Sequence, residues 1–465
     1  MNLPSDYPEL HEAFLDSKRP HILMITNHGI HQWQVVSGLP DTGGQNVYVN
    51  QLSEVLSAFG FKITIANRGG YKDPRSGEER VGFRYKNEHM RILYLEDSTK
   101  DFVRKEDMKE QIPELVDFLY RVLDQEGRDI ELMVSHYWDA ALLGVELNQK
   151  LSQPRPHLWI PHSLGAVKKR NMPPETWEKL RVDERIATER SFIDQLDYVA
   201  ATSSLIRDSL EKDYQRSSKL FLPPCVDTSR FYPHQVSPRS ELWDFLSSRS
   251  GIDRNELQES RFITEISRTD QTKRKDLLIR AFAEVKKRHS DIKLIISIEE
   301  SVEELYEELT KLIRDLGVEN SVLVIGHEAE RLPDIYAISS IYCSPSVMEG
   351  FGMSVQEAAA EAVPVVGSDK IPFVLEYLLT EDYAEIPVDY AEKESESGKL
   401  LVGQGGIVAP SDNREAFVQA LSILLEDPQL ARQMGQQALR ITVPYFTWEE
   451  MTRRLLEAMG IEYGE

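Results

Sequence analysis

Two hydrophobic rhythms alternate along this chain. Short runs in which nearly every residue is apolar mark strands buried on both faces. Stretches with apolar positions three and four residues apart mark helices with one buried face. In the first half, HILMIT (21–26), FKITIAN (61–67), MRILYLE (90–96), IELMVSH (130–136), HLWIPH (157–162), DYVAATS (197–203) and KLFLPP (219–224) predict strands. Between them the pattern predicts helices at 113–126 and 139–151, a long charged helix at 174–195, and one at 46–59. In this last helix Tyr48, Leu52, Val55, Leu56 and Phe59 share a face and Gly60 is the stop. The second half repeats the scheme, with strands at FITEIS (262–267), IKLIIS (292–297), VLVIG (322–326), IYCSP (341–345), VPVVGS (363–368) and GGIVAP (405–410). Helices separate them at about 275–289, 302–316, 332–339, 354–362 and 413–426.

Strands that alternate with helices imply parallel sheets covered on both faces. The fold class expected is therefore α/β, with two doubly wound, Rossmann-like domains facing each other across a cleft. Ligands in such sheets sit at the carboxyl ends of the strands, so that cleft is the expected site. The proline-rich PPCVDTSRFYP (223–233) marks the boundary. It gives a first domain over 1–224, a second over 225–440, and a terminal helix within 441–465 that packs back on the first domain. That helix carries Trp448, Met451, Leu455 and Met459 on one stripe. The acidic stretch TEDYAEIPVDYAEKESESGKLLVGQ (380–404) breaks the rhythm and is predicted to be a surface insertion.

A chain of 465 residues exceeds one ordinary core and suits two domains. No apolar run reaches the roughly 18–20 residues of a membrane span. The first residues, MNLPSDYPELHEAF, lack a basic segment followed by an apolar one, so a cytoplasmic protein with no membrane partner is expected. Two cysteines, Cys225 and Cys343, give neither a disulfide framework nor a metal-ligand cluster. The net charge of −23 argues against a general nucleic-acid binder and makes local clusters of Arg and Lys informative.

Five segments carry candidate chemistry. In SGLPDTGGQNVYVNQL (37–52), Gly43 and Gly44 precede a helix. They allow either a tight turn capped by Asp41 or close approach of a ligand to the backbone. In SPSVMEGFGMSVQEAAAEAVPVVGS (344–368), Glu349 opens the turn Gly350-Phe351-Gly352, and a helix starts near Ser354 with Glu357 in its first turn. Amides of such a turn and helix start can face a diphosphate, while one carboxylate holds ribose hydroxyls and the other holds hydroxyls of a transferred sugar. In ISRTDQTKRKDLLIRAF (266–282), Arg268 and Lys273 offer a fork and a point charge to a leaving diphosphate, with Arg274, Lys275 and Arg280 read as solvated charges. SHYWDAALLG (135–144) and IPHSLGAVKKRN (160–171) each end a strand on a histidine or tyrosine, and His162 is a stronger candidate than His136 or His157.

Taken in order, DTGGQ, SHYWDA, PHSLG followed by basic residues, PPCVD, SRTDQTK and EGFGMSVQEAAAEAVPVV resemble the retaining glycosyltransferases of the GT-B class, glycosyltransferase family 4. The resemblance covers about residues 20–460 and is narrowest toward the sucrose-phosphate and mannosylfructose-phosphate synthase branch. It implies a hexosyltransferase of EC 2.4.1 type. Such an enzyme moves glucose or mannose from a nucleotide diphosphate sugar, such as UDP-glucose or GDP-mannose, to a small, polar, phosphorylated acceptor such as fructose 6-phosphate. It also implies roles residue by residue. Gly43, Gly44 and Gln45 would lie near donor diphosphate and acceptor. His162 would face the donor sugar and steady the anomeric carbon through its charge or its carbonyl. Arg268 and Lys273 would stabilise the leaving diphosphate, Glu349 would hold sugar hydroxyls and Glu357 the ribose. Gly350, Phe351, Gly352 and Met353 would complete the donor site. Tyr137, Lys100 and Lys105 would serve the acceptor, with Arg181 and Arg185, one turn apart on one helix face, as further acceptor cations. In the front-face mechanism proposed for the family, the departing phosphate oxygen takes the acceptor proton. No cofactor or metal is required, with Mg2+ at most a stimulant.

The chain departs from the family pattern at Cys225, where a glycine is usual, and at IKLIISIEES, which lacks a following glycine pair. A further departure is GSDKIPFVLEYLLTEDY, which stands where a Gly-rich phosphate loop is usual. These departures point to a specialised member and leave the donor base, the acceptor and the oligomeric state open. Other readings are a synthase of another compatible-solute glycoside, with glycerate, 3-phosphoglycerate or glucosylglycerate as acceptor, a lipid or polysaccharide glycosyltransferase, and a catalytically silent sugar-nucleotide sensor. A nucleotide-binding oxidoreductase would need Gly-x-Gly-x-x-Gly after its first strand, where this chain has NHGIHQWQ.

Overall fold

The computed structural model describes residues 3–35, 39–127, 130–326, 328–388 and 398–464. The chain divides into two compact units, Met1–Pro223 with Trp448–Glu465, and Pro224–Thr447. The helix Trp448–Met459 thus belongs to the first unit, where it packs on the helix Gly44–Ala58, and its buried stripe is Trp448, Met451, Thr452, Leu455, Leu456 and Met459. The ring of Trp448 meets that of Tyr48 edge to face at 4.7 Å.

The first unit is built on eight strands: β1 (His21–Ile25), β2 (Lys62–Arg68), β3 (Gly82–Asn87), β4 (Met90–Leu95), β5 (Leu132–His136), β6 (His157–Ile160), β7 (Tyr198–Ala201) and β8 (Leu220–Phe221). They lie in the order β3-β4-β2-β1-β5-β6-β7-β8, with only β3 antiparallel to its neighbour. The unbroken apolar runs of β1 and β5 are buried along their whole length, because a parallel sheet has helices on both faces. β3 was not foreseen. Its GFRYKN sequence interleaves polar residues, as an edge strand permits.

The second unit repeats the plan with β9 (Arg261–Glu265), β10 (Ile292–Ser297), β11 (Val322–Ile325), β12 (Ser339–Ser344), β13 (Val365–Ser368), β14 (Ala384–Val388), β15 (Gly398–Val402) and β16 (Gly406–Ala409), in the order β11-β10-β9-β12-β13-β16-β15-β14. The acidic stretch 380–404 is therefore no simple surface insertion. Its ends form the antiparallel pair β14–β15, which extends the sheet at one edge, while 389–397 lie outside the described residues. The expected helix over 174–195 is also corrected. Pro174–Thr176 is a short 3-10 turn, and the helix proper is Val182–Phe192. Arg181 precedes it in a left-handed conformation (φ 47°), which interrupts any continuous helix.

The helix Pro428–Thr442, absent from the sequence reading, packs against Met353–Ala360, so it bears on the placement of Glu357. A side chain at Gly435 would bring its Cβ to 2.0 Å from the carbonyl oxygen of Ala362. Backbone cannot yield as a flexible side chain can, so Gly435→Ala is expected to destabilise the fold by about 1–3 kcal/mol, read as a lower urea midpoint. Gly326→Ala, whose Cβ meets nothing within 4 Å, is the control and should stay within about 0.5 kcal/mol of the parent.

Candidate active site

In each sheet the order of the parallel strands reverses at one place, and the loops at the carboxyl ends of the two strands flanking that reversal diverge and leave a crevice. In the first unit the reversal lies between β1 and β5. The chain after β1 supplies His28 and the chain after β5 supplies Asp139, and the two meet: His28 Nδ1 lies 2.9 Å from Asp139 Oδ1, and the His28 amide donates to Asp139 Oδ2 at 3.2 Å. Both are buried. Gly29 follows with φ 76°, and a Cβ there would lie 2.3 Å from the carbonyl oxygen of Asp41, so the sharp turn of this loop requires glycine.

The DTGGQ segment is not capped by Asp41. Gly43 is the N-cap, its amide donating to Asn46 Oδ1 at 2.9 Å while its carbonyl accepts from the Asn46 amide at 2.9 Å. Asp41 instead holds Lys105, through the Lys105 amide at 3.2 Å and through its ammonium. Gln45 donates to Thr26 Oγ1 at 3.1 Å, which ties the helix start to the end of β1.

Two residues singled out at strand ends, Tyr137 and His162, both have left-handed backbone, with φ 78° and 54°. Such conformations are strained for bulky residues and persist only where the surroundings impose them. Here the constraint comes from Arg185 and Glu189 on the helix Val182–Phe192. Arg185 donates to Tyr137 Oη at 2.6 Å, to the Ser163 carbonyl at 2.5 Å, to Ser163 Oγ at 3.1 Å and to Glu189 Oε1 at 2.8 Å. Glu189, fully buried, accepts further from the Gly165 amide at 3.0 and 3.2 Å and from the Tyr214 hydroxyl. Gly165 leaves room for this carboxylate, since a Cβ there would come within 3.0 Å of Glu189 Oε2. Burial alone would raise the Tyr137 pKa, but Arg185 and Lys168 outweigh it and lower it.

The His162 ring lies 2.9 Å from His136, Nε2 to Nδ1. Burial holds the His162 pKa down at about 3, so the imidazole is neutral and carries no charge of its own. Tyr137, Lys105, Arg181 and Arg185, expected to serve the acceptor, line one recess together with Lys168, Trp138, Leu180, Glu106 and Glu184. Lys100 stands apart from it, exposed, with its ammonium 3.3 Å from the Asp97 carbonyl. Arg181 also engages Asp107, Glu110 and Glu184.

In the second unit the order reverses between β9 and β12, and the two candidate loops follow those strands. Lys273 and Glu349, seventy-six residues apart, meet at 2.5 Å. The loops are stitched by the Val347 amide donating to the Thr272 carbonyl at 2.8 Å and by Asp270 capping the turn at the Thr272 amide at 2.9 Å. Beneath them lies a pair that the sequence reading missed. Lys275, read as solvated, is buried against Glu265, and its ammonium also donates to Ser267 Oγ at 2.9 Å. Burial lowers the Lys275 pKa against the opposing pull of Glu265. The side chain of Arg268 is 83% exposed, against 9% for that of Lys273, so only the lysine is fixed in place.

Gly352 has φ 117°, and a Cβ on it would meet Ile371 at 2.8 Å, so this turn requires glycine, while Gly350 faces open space. Phe351 is buried against Phe373, Tyr377 and Phe446 at centroid distances of 5.5–6.0 Å, so its ring belongs to the core. The helix begins at Met353, which puts Glu357 in its second turn and corrects the expected first-turn position. Burial raises the Glu357 pKa to about 7, against the Tyr336 hydroxyl, which donates to it at 3.0 Å, and Arg230. Among the described residues no helix is long and apolar enough to cross a membrane.

Comparison with known proteins fits this arrangement. The profile of Glycosyltransferase Family 4 matches residues 42–230, and that of Glycosyl transferases group 1 matches residues 252–440. Mannosylfructose-phosphate synthase of Agrobacterium fabrum is 30% identical over 362 residues, 75% of this chain and 76% of that protein. A D-inositol 3-phosphate glycosyltransferase of Corynebacterium aurimucosum is 25% identical over 95% of this chain and 97% of its own length. Among solved structures, sucrose-phosphate synthase from Thermosynechococcus elongatus superposes with a TM-score of 0.72 at 20% identity, covering 95% of this chain and 98% of that one. Anabaena HepE in complex with UDP and glucose gives a TM-score of 0.65 at 16% identity, covering 95% and 99%. With two Rossmann-like domains and this degree of identity to a curated relative, the chain belongs to glycosyltransferase family 4.

Proposed function

We propose that this protein is a retaining hexosyltransferase that moves glucose or mannose from a nucleotide diphosphate sugar to a small phosphorylated acceptor such as fructose 6-phosphate. The observation that carries the reading is the pairing of Lys273 with Glu349 at the strand-order reversal of the second unit. A cation for a leaving phosphate beside a carboxylate for sugar hydroxyls is what transfer from a sugar nucleotide needs. The turn at Gly350–Gly352 and the helix start at Met353 then supply amides for the diphosphate, Arg268 closes over it, and Glu357 holds the ribose.

The recess of the first unit supports a phosphorylated acceptor. Four cations, Lys105, Lys168, Arg181 and Arg185, face it against two carboxylates, Glu106 and Glu184. Lys105 is paired with Asp41, Arg185 with Glu189, and Arg181 with Asp107, Glu110 and Glu184, so an acceptor phosphate would share these cations with carboxylates. Tyr137 and Ser163, held by Arg185, add hydroxyls. In the reaction the bond from the anomeric carbon to the diphosphate oxygen breaks, and the acceptor hydroxyl bonds to that carbon from the same face. Its proton passes to the departing phosphate oxygen. The protein's part is to position the reactants and stabilise charge, with no nucleophile of its own. HepE's structure with UDP and glucose supports a sugar nucleotide as donor, and the mannosylfructose-phosphate synthase relative supports a sugar-phosphate acceptor.

Nucleotide release by the purified protein should appear with UDP-glucose or GDP-mannose only when a phosphorylated acceptor is present. Lys273→Ala should lower kcat by about 10²–10³-fold with the fold intact by circular dichroism. Release with none of fructose 6-phosphate, 3-phosphoglycerate or an inositol phosphate would remove the acceptor assignment. Lys105→Ala should raise KM for the phosphorylated acceptor about tenfold, a loss of about 1.4 kcal/mol, and leave KM for the donor within about twofold. Equal weakening of both substrates would place Lys105 outside the acceptor site. Donor affinity should also depend on pH. Ribose hydroxyls donate to an ionised Glu357, whose pKa is raised to about 7, so affinity is full well above pH 7 and declines as the carboxyl protonates below it, about tenfold per unit. Calorimetric titration of UDP-glucose at pH 6 and pH 8 checks this, and Glu357→Gln should flatten the profile.

A further inference from the structure

His136 ends β5, and it meets His162, two residues beyond β6, through a single hydrogen bond of 2.9 Å between His136 Nδ1 and His162 Nε2. Burial pushes the pKa of both rings far below the usual histidine range, so both are neutral. A neutral imidazole has one N–H and one bare nitrogen, so one ring of the pair donates and the other accepts. The second nitrogen of His136 decides which. His136 is fully buried, and its Nε2 has no hydrogen-bond partner among the described residues. If His162 donated, His136 would carry its proton on Nε2, leaving a buried N–H without an acceptor. If His136 donates, the same position holds only a lone pair. Buried N–H groups without partners are the rarer and more costly of the two.

We infer that His136 donates its Nδ1 proton to His162 Nε2 and thereby locks His162 in the tautomer that presents Nδ1–H. His136 is a positioning residue that acts through His162. The ring planes are fixed from outside the pair. Tyr48 stands edge-on to His162 at 4.7 Å and 90°, and lies 6.0 Å from His136, with its own hydroxyl donating to the Leu222 carbonyl at 2.8 Å. His162 Nδ1 makes no hydrogen bond among the described residues. It is thus the polar ring atom of this pair open to a ligand, and as an N–H it meets an oxygen lone pair. What that oxygen belongs to, a hydroxyl of the transferred hexose, rests on the proposed function. The tautomer does not.

The test is the tautomer itself, read on the full chain labelled with ¹⁵N-histidine, by correlating ring nitrogens with ring carbon-bound protons at pH 7.5. The His162 signals are identified by their loss in His162→Gln. The expected spectrum has His162 Nδ1 in the protonated range and Nε2 in the bare range. His136→Asn, whose side-chain amide can still donate, should keep that pattern. His136→Phe should lose it, with kcat/KM for the sugar nucleotide down about tenfold or more while KM for the acceptor stays within about twofold. A protonated Nε2 on His162 in the parent overturns the inference, as does an unchanged His162 spectrum in His136→Phe. If His136→Phe does not fold, the parent spectrum still decides. If Nδ1–H is found while no sugar nucleotide is turned over, the histidine inference stands and the proposed reaction falls.

Discussion

A charge removed from water must be satisfied on every side, and that constraint shapes the candidate loops of each unit. Glu189 is fully buried, and its carboxylate is met by one guanidinium, one backbone amide and one phenol. Each of those partners belongs to a different element, so satisfying one carboxylate fixes the PHSLG loop, the helix Val182–Phe192 and the helix carrying Tyr214 together. Arg185 extends the set to Tyr137 and Ser163. The left-handed backbones of Tyr137 and His162 are held by this network rather than by local preference. The second unit uses Glu265 and Lys275 in the same way, under the loop that carries Lys273.

The strand-order reversals explain why these networks are where they are. A doubly wound sheet sends its loops apart on either side of the reversal, so polar groups there have neither helix nor sheet to satisfy them. They must bond across the gap. His28 with Asp139 does this in the first unit, and Lys273 with Glu349 in the second. Buried polar pairs of this kind add little net stability. Their effect is on geometry: they hold side chains from distant segments at fixed distances.

Much of this was legible in the sequence, because burial on both faces of a parallel strand leaves unbroken apolar runs that the eye can place within a residue or two. The glycine turns at Gly350–Gly352, the boundary near Pro223 and the stripe of the terminal helix were legible for the same kind of reason, a local physical requirement written in adjacent residues. What was not legible depended on contacts between distant segments. Lys275 looks like its basic neighbours until Glu265, ten residues earlier, is folded against it. Glu189 lies in a helix of low amphipathic contrast, where no periodic stripe separates a buried carboxylate from exposed ones. The 174–195 stretch is charged and helix-prone throughout, and the break at Arg181 comes from tertiary contacts with Asp107 and Glu110. Arg181 and Arg185 still line one recess, although they do not share a helix face.

The segment after β13 departs from the pattern that the resemblance implies. Where a Gly-rich loop is usual, this chain has Ile371, Phe373 and Tyr377, with Val374–Leu378 wound as a π-helix. These side chains pack on the turn instead of leaving it open: the Phe373 amide donates to the Phe351 carbonyl at 2.9 Å, and Ile371 occupies the space that a Cβ on Gly352 would take. Phe446 closes the cluster at 5.2 Å from Phe373. A turn walled by aromatic rings cannot shift its amides as a glycine loop can, since the interior is close-packed and resists small displacements. Phe351 and Gly352 are therefore packed in place, while Gly350 faces open space. The packed ring cluster lies beside the turn whose first residue, Glu349, reaches Lys273.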